Sequence, residues 1–468
     1  MPAAATDSQP RPLELTISKL SIDIASGELT LGEAAGDFNS AIEARHLLFS
    51  LRQNGDKMSF TTAALKEAVA PDDSEPFKLV LIHSDAISDE LSDAYLIDKF
   101  PPYLVHDAWN QVDVVMSTKS GTHLALPFWS TVLQPLLSTL ARTFPEAKVD
   151  QANILVTESA ESVSDFARQL WSSPAAPTRT VILLSGDGGM VDILNGRQEG
   201  SQQRPTIALL PMGTGNALFH SNHKPLCTPS GPSPLVLGVR TLFVEGVAAA
   251  LPIFRASFTP GAHIVHGDER QRQVSHLDGA IVASYGFHAS VVYESDTPAH
   301  RVHGDKRFGM VAQELLREAH AYSAHVAIQR MGTGTSSNRE VLDREKHGYL
   351  LTTLLSNLEK TFTISPASKP LDGQLRTVHF GDIGGERALD AMMKAYDGGK
   401  HVDVKWDDGE RIYYQDIDEI RITVKETDQR WRKVCIDGTI VDVPTGGTMT
   451  VKKLHESPLR ILVNKGVR

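Results

Sequence analysis

Hydrophobic and polar positions change rhythm twice along the chain. From residue 1 to about 108, alternating segments such as Leu13-Glu14-Leu15-Thr16-Ile17 and the run Phe77-Lys78-Leu79-Val80-Leu81-Ile82-His83 stand between polar stretches. That texture predicts strands, and a small β-rich N-terminal extension. From Asp113 short apolar runs take over at 113–116, 153–156, 181–184 and 207–210, each the length of a buried strand. Helical patterns lie between them at 127–142, with proline at the first helical position, at 161–171, and at 190–194, closed by Asn195-Gly196. Strand and helix in alternation predict a parallel sheet with right-handed crossovers. Beyond about residue 233 the pattern turns to strands and hairpins at 253–259, 280–284, 402–406, 412–414, 420–424, 433–436 and 449–453. One helix, 308–326, interrupts them, and 331–344, with Gly332-Thr333-Gly334-Thr335-Ser336-Ser337, reads as a surface loop. No tandem repeat is present. The expected fold class is α/β + β: an N-terminal extension (1–108), an α/β parallel-sheet domain (109–232), and a mainly antiparallel, β-sandwich-like domain (233–468).

Composition alters this picture little. With 41% hydrophobic and 22% charged among 468 residues, the chain is near the globular average, which excludes wholesale disorder and collagen-like or coiled-coil architectures. Charge excludes more: 46 Lys+Arg against 57 Asp+Glu give a formal net charge of -11, which argues against extended contact with nucleic acid. Two cysteines, Cys227 and Cys435, are too few for a disulfide scaffold or a four-cysteine zinc site, and their scarcity suits a reducing cytoplasm. The N-terminus runs from Met1-Pro2-Ala3 into Asp, Gln and Pro without the apolar core of a secretory signal. The most apolar long stretch, 235–254, carries Arg240 and Glu245 at its centre, whereas a bilayer span needs about 20 nearly uncharged residues. A buried helix followed by a strand is expected there.

Ligands of parallel sheets collect at the carboxyl ends of the strands, where loops enter helices whose N-termini attract anions. The predicted strands bring four segments to that edge: Ser117-Thr118-Lys119-Ser120-Gly121-Thr122, Thr157-Glu158-Ser159, Ser185-Gly186-Asp187-Gly188-Gly189 and Met212-Gly213-Thr214-Gly215-Asn216. Glycine lets backbone amides approach phosphate oxygens, and Ser and Thr add hydroxyl donors, so the edge reads as a phosphate site. Neither glycine-rich loop fits the Walker pattern or a complete Gly-x-Gly-x-x-Gly fingerprint. Asp187, flanked by glycines, can take the proton of an attacking hydroxyl in phosphoryl transfer; capping of the following helix is the structural alternative. The 18 histidines show no metal spacing, and His83, His106, His220 and His223 read as ordinary surface or core residues. Cys227 lies in the Pro/Ser-rich loop 225–234 without an evident His partner, which argues against a nucleophile. The run Asp407-Asp408-Gly409-Glu410 reads as a solvated hairpin tip, since it lacks the wider spacing of a calcium loop.

Two motifs, Ser185-Gly186-Asp187-Gly188 with Met190 and Asn195-Gly196, and Gly213-Thr214-Gly215-Asn216-Ala217-Leu218, resemble those of the lipid kinases that comprise sphingosine, ceramide and diacylglycerol kinases, similar in fold to NAD kinases. The resemblance covers residues 110 to 465 and is nearest to the sphingosine and ceramide branch. It implies an ATP-dependent lipid kinase with Mg2+ bridging the phosphates, no protein ligand set for the metal, and Asp187 as general base. It further implies nucleotide contacts at Ser117, Thr118, Lys119, Ser120, Gly121, Thr157, Gly188, Asp192, Gly213, Thr214, Gly215 and Asn216. Ser117 and Lys119 replace the family's Asn and Arg in the first loop. In the second domain it implies Arg301 and Arg307 on the ATP phosphates and Glu294 as a lipid-recognising carboxylate, with Ser185 and Gly186 also at the substrate. Asp437-Gly438 matches an Asp-Gly-Glu motif beside the nucleotide, with Thr439 in place of Glu; a type I′ hairpin turn is the structural alternative.

The implied partner is a lipid at a membrane surface, hence a cytoplasmic chain with peripheral membrane association; no nucleic acid is expected, and a homodimer stays open. Three alternatives stand beside a sphingoid-base kinase: a diacylglycerol or ceramide kinase, an NAD kinase, and a nucleotide- and lipid-binding regulator that has lost catalysis. Thr439 and the altered first loop favour the last.

Overall fold

The computed structural model describes residues 11–23, 26–32, 42–53, 58–68, 75–119, 121–159, 161–267, 269–304, 306–332 and 339–467. The N-terminal segments form five strands, β1 (Leu13–Asp23), β2 (Glu28–Leu31), β3 (Leu47–Gln53), β4 (Ser59–Glu67) and β5 (Phe77–Ile87), followed by helix α1 (Asp89–Tyr95). They make one sheet in the order β2-β1-β5-β4-β3, with β1 and β5 parallel. Both faces of this sheet are apolar. One carries Ile17, Leu20, Leu47, Val80 and Ile82 into a local core closed by α1, and the other carries Phe49, Leu51, Leu65, Phe77 and Leu79 into the core of the next unit. There Phe49 meets Phe243 edge-on at 5.4 Å and Phe77 meets Phe128 at 5.1 Å. Buried Arg240 donates to the carbonyls of Leu47 and Ala44, each at 2.7 Å, so its charge is met by the backbone of the first sheet. The extension therefore shares a core with the domain behind it.

The second unit alternates as its apolar runs predict: β6 (Asn110–Met116), α2 (Ala125–Phe128), a π turn (Trp129–Leu133), α3 (Gln134–Thr143), β7 (Asn153–Val156), α4 (Ser162–Ser172), β8 (Thr178–Ser185), α5 (Asp187–Asn195), β9 (Thr206–Pro211), α6 (Ala217–Asn222), α7 (Pro234–Arg240) and β10 (Gly246–Ala250). Strands β7, β6, β8 and β9 run parallel, which brings their carboxyl ends to one edge.

The third unit holds β11 (Phe254–Phe258), β12 (His263–His266), β13 (Glu269–Gln273), β14 (His276–Gly279), β15 (Val282–Gly286), α8 (Phe287–Ser295), α9 (Pro298–Arg301), α10 (Lys306–Glu318) and β16 (Tyr322–Arg330). It continues through the short β17 (Glu340–Val341) and β18 (Lys346–His347), then β19 (Tyr349–Thr353), β20 (Arg376–Phe380), α11 (Gly384–Tyr396), β21 (Tyr413–Val424), β22 (Lys433–Ile436), β23 (Thr439–Asp442) and β24 (Thr448–Lys453). Its strands join one antiparallel sheet of 14 strands. The sheet curls, so that Phe254 and Ala256 of β11 share a core with Tyr285 of β15, Val434 of β22 and Ile420 of β21. The expected two-layer packing is thus reached by one continuous sheet.

The chain then returns. Strand β25 (Arg460–Asn464) pairs with β9 in parallel and β10 antiparallel, giving the second unit a six-stranded sheet in the order β10-β25-β9-β8-β6-β7. The boundary expected at 232 is corrected by this register: α7, β10 and the last strand belong to the α/β unit, and the curled sheet is inserted between them. Two further expectations change. The helix drawn over 308–326 stops at Glu318, because Ala319 takes a left-handed φ of 50° and Tyr322 begins β16. Residues 402–406, expected as a strand, contain a 3-10 turn at Lys400–Asp403 and a single bridge between Lys405 and Arg411. The exposed tip at Gly409, with φ of 92°, is the hairpin turn foreseen there.

Candidate active site

Three of the glycine-bearing loops at the sheet edge are packed backbone to backbone. A Cβ on Gly121 would lie 2.6 Å from the amide of Thr214, and one on Gly213 would lie 2.4 Å from the Cα of Gly186. No side chain fits at either position, and this brings the 121, 186 and 213 loops into contact. Gly121 also holds a φ of 41°. Asn216, with φ of 50°, closes the last loop on itself: its Oδ1 accepts from the Gly213 amide at 2.9 Å and its Nδ2 donates to the Gly213 carbonyl at 2.7 Å. Its buried side chain shapes the loop.

Asp187 is the first residue of α5 and sends its carboxylate across to α6. There Oδ2 accepts from the amide of Ala217 at 2.7 Å and Oδ1 from that of Leu218 at 3.1 Å. The capping function weighed for this residue exists, but the helix it caps is α6 rather than its own. Each carboxylate oxygen keeps a further lone pair for a hydroxyl. Burial raises the pKa of Asp187 from its ordinary value while the two amides oppose the rise, which makes it a stronger base than a solvated aspartate.

Asp437 and Gly438 form a tight turn between β22 and β23 with φ of 47° and 89°, the left-handed pair of a type I′ hairpin. The Asp437 carboxylate accepts from the amides of Ala280 and Val282 at 2.6 Å and of Ile281 at 3.1 Å. Burial lifts its pKa to about 7 against those amides, and the charge of Asp187 adds to the rise. Two carboxylates from different units therefore sense each other across the seam.

Between them lies a cavity of about 1080 Å³. Its polar end is built by Gly121, Gly186, Asp187, Gly188, Asp192, Gly213, Thr214, Gly215, Asp437, Gly438 and Thr439, so eleven residues from both units converge there. Its other walls are mainly apolar, with Phe287 and Val291 of α8, Phe308 of α10, and Leu389, Met392, Met393 and Tyr396 of α11. Leu389, Met393 and Tyr396 line the cavity yet are 46%, 58% and 46% exposed, an apolar lip open to solvent. Their i, i+4, i+7 spacing is that of one helix face, and they sit on α11 where no helix is expected from the sequence. Lys306, Arg301 and Asp296 also face the cavity. Arg301 is held by Asp296 through two bonds of 2.9 Å.

The remaining sequence-derived residues fall outside this lining. Thr118 and Thr157 bind each other, the Thr157 hydroxyl accepting from the Thr118 amide at 3.0 Å, and so tie the ends of β6 and β7 together. Ser117 donates its amide to Leu184, Lys119 is exposed, and Ser185 is buried against Gly189. Ser120 lies outside the described residues. Arg307 stacks over Phe308 at 4.7 Å, with its Nε buried. Glu294 pairs with Arg430 at 2.7 Å and lines no part of the cavity; two residues further on, Asp296 does. Asp192, which does line the cavity, accepts from Ser164 at 3.1 Å, and burial raises its pKa. Among the described residues no group of three or more His, Cys, Asp or Glu could hold a metal ion, and no helix is long and apolar enough to cross a membrane.

Comparison with known proteins agrees with this geometry. Residues 114–238 match the family model described as the diacylglycerol kinase catalytic domain. A crystal structure from Bacillus anthracis str. Sterne, of a protein provisionally named a diacylglycerol kinase, superposes with a TM-score of 0.51 at 15% identity, over 78% of this chain and 98% of that one. A second structure of the same name and organism gives 0.50 at 15% identity, over 78% and 100%. No curated protein sequence matches significantly. The family match gives the chain the catalytic domain of a lipid kinase, a phosphotransferase.

Proposed function

We propose that this lipid kinase, built on the diacylglycerol kinase catalytic domain at 114–238, transfers the γ-phosphoryl group of ATP to the free hydroxyl of a diacylglycerol. The observation that carries the reading is the cavity itself: Asp187 sits among the glycine loops at one end, and an apolar wall with an exposed lip stands at the other. A small soluble acceptor would have no use for that wall. A lipid would, since its chains can lie against α8, α10 and α11 while its hydroxyl reaches Asp187.

The chemistry follows from the groups present. The lipid hydroxyl oxygen attacks the γ-phosphorus, the bond from that phosphorus to the bridging oxygen of ADP breaks, and the hydroxyl proton passes to the Asp187 carboxylate. The backbone amides of Thr214 and Gly215 and the cation of Lys306 are available to the phosphates, and Arg301, whose Nε and Nη2 are held by Asp296, can offer its remaining Nη1. Magnesium fits this donor set as an ion held mostly by phosphate and water with one carboxylate, Asp192, in reach, and when bound it would neutralise phosphate charge.

Diacylglycerol is preferred to the sphingoid base suggested by the loop sequences for two reasons. The similar structures carry the name diacylglycerol kinase. Glu294, the carboxylate that would meet a sphingoid ammonium, is already paired with Arg430 away from the cavity. A sphingoid base is the second reading, favoured by Asp296, a carboxylate that does line the cavity. The test is label transfer from γ-labelled ATP with Mg2+ to diacylglycerol, sphingoid base, ceramide and NAD, in parallel with Asp187→Asn. Transfer to diacylglycerol that the variant abolishes is expected; ATP binding without transfer to any lipid would leave a nucleotide-binding regulator instead.

A further inference from the structure

A second, smaller cavity of about 400 Å³ lies behind α5, on the seam between the α/β unit and the curled sheet. Its walls are mainly polar. The segment after α5 contributes Arg197 and Gln198, and the β13–β14 hairpin contributes Arg272, Gln273 and His276. Arg255, the third guanidinium, is occupied by Asp278 through bonds of 2.7 and 2.8 Å. Arg197 and Arg272 are exposed, come from opposite sides of the seam, and make no side-chain hydrogen bond or ion pair among the described residues. Glu199, at the same place, is the one acidic residue of the lining besides Asp278.

We propose that this seam cavity binds a small anion carrying two or more phosphate groups, gripped by Arg197 from one unit and Arg272 from the other. Guanidinium forks match phosphate oxygens, and a volume in the usual range of small-ligand sites suits a diphosphate or a phosphorylated headgroup. The carboxyl end of α5, whose carbonyl dipoles would repel an anion, is already quenched. The carbonyl of Val191 accepts from Asn195 Nδ2, that of Asp192 from the Gly196 amide, that of Ile193 from Trp171 Nε1, and that of Leu194 from the Arg197 amide.

The seam is also where the two units are stitched together. Asn195 exchanges two hydrogen bonds of 2.9 Å with the backbone of Asp278, and the chain beyond it, 280–282, supplies the amides that hold Asp437. An anion bridging Arg197 and Arg272 tightens the joint at the end of the helix that begins with Asp187.

The site is independent of the proposed reaction and is tested by binding. Inorganic pyrophosphate is titrated calorimetrically into the full chain and into an Arg197→Ala/Arg272→Ala variant; both side chains are exposed, and the unfolding temperature without ligand checks that the variant is folded. A loss of roughly tenfold or more in pyrophosphate affinity is expected, as two charge-assisted contacts are removed. A parallel arm measures both proteins on phosphatidylcholine vesicles with and without phosphatidic acid. An effect of the variant in solution points to a free phosphate compound, and an effect confined to vesicles points to a lipid headgroup. Equal binding by both proteins in both arms overturns the proposal.

Discussion

Asp187 and Asp437 reach the same cavity from opposite units, and up to a point they are built alike. Each follows a strand, each is flanked by glycine, and each carboxylate takes backbone amides from a segment far away in sequence. The surroundings differ. Asp187 starts a helix, holds two amides and keeps open lone pairs toward the cavity; Asp437 sits in a two-residue turn and holds three amides with its carboxylate buried. Under the proposed reaction, the same residue type in a similar motif serves chemistry in one place and joins segments in the other. The number of amides already bound and the access left over decide which.

Replacing each carboxylate should separate the two roles, and the largest effect is expected at Asp187. Asp187→Asn keeps one acceptor for α6 but removes the base, so transfer should fall by about 10²- to 10⁴-fold while stability drops by only about 1 kcal/mol. Paired activity and thermal-melt measurements check this. A variant that melts far earlier and loses activity in proportion would make Asp187 a second structural carboxylate.

At Asp437 the weighting reverses. Asp437→Ala strands the amides of Ala280, Ile281 and Val282, and each orphaned buried donor costs about 1–3 kcal/mol, so a loss on the order of 3 kcal/mol or more in chemical denaturation is expected. Activity per folded molecule should change much less than in Asp187→Asn. A smaller effect of the same kind belongs to the neighbouring turn residue: Gly438→Ala places a Cβ at φ of 89°, with nothing within 4 Å to clash, so the cost is conformational, about 1 kcal/mol. A variant as stable as wild type would show that the hairpin tolerates another turn type.

The contrast between these residues explains what the sequence could reveal. Asp187 was legible because its neighbours in the chain carry the signal: a buried strand, glycines and a helix within ten residues. The contacts of Asp437 were not, because its partners are about 155 residues away and only strand pairing brings them together. The same limit applies elsewhere. The four parallel strands fell where apolar runs place them, but the return of β25 to their sheet leaves no local trace. The spacing from Arg301 points to Glu294, but Glu294 lies on α8 and pairs with Arg430, whereas Asp296, just past the end of that helix, lines the cavity. Apolar periodicity ran from α10 into β16 without a break, and only the left-handed Ala319 ends the helix.

The most discriminating effect is in pH. Asp437 has a folded pKa of about 7, above its ordinary 3.8, so between those values the folded chain binds a proton that the unfolded chain has released. Its contribution is fully present below pH 3.8 and is lost as pH rises through 7, the slope following the extra protons bound by the folded state. Buried histidines act the other way. His220, His223, His288, His347 and His401 are each depressed to about 4 by burial, so they withdraw stability as pH falls below 6.5 and dominate the acid side of the curve. Subtraction isolates the carboxylate: the stability difference between wild type and Asp437→Asn should shrink as pH rises from 5 to 8, by up to about 1.4 kcal/mol per unit below pH 7. Thermal melts of both proteins across that range check it. A difference that stays flat from pH 5 to 8 would mean that the three amides outweigh burial and hold Asp437 ionised throughout that range, in which case it would add fixed negative charge beside Asp187 rather than a neutral clasp.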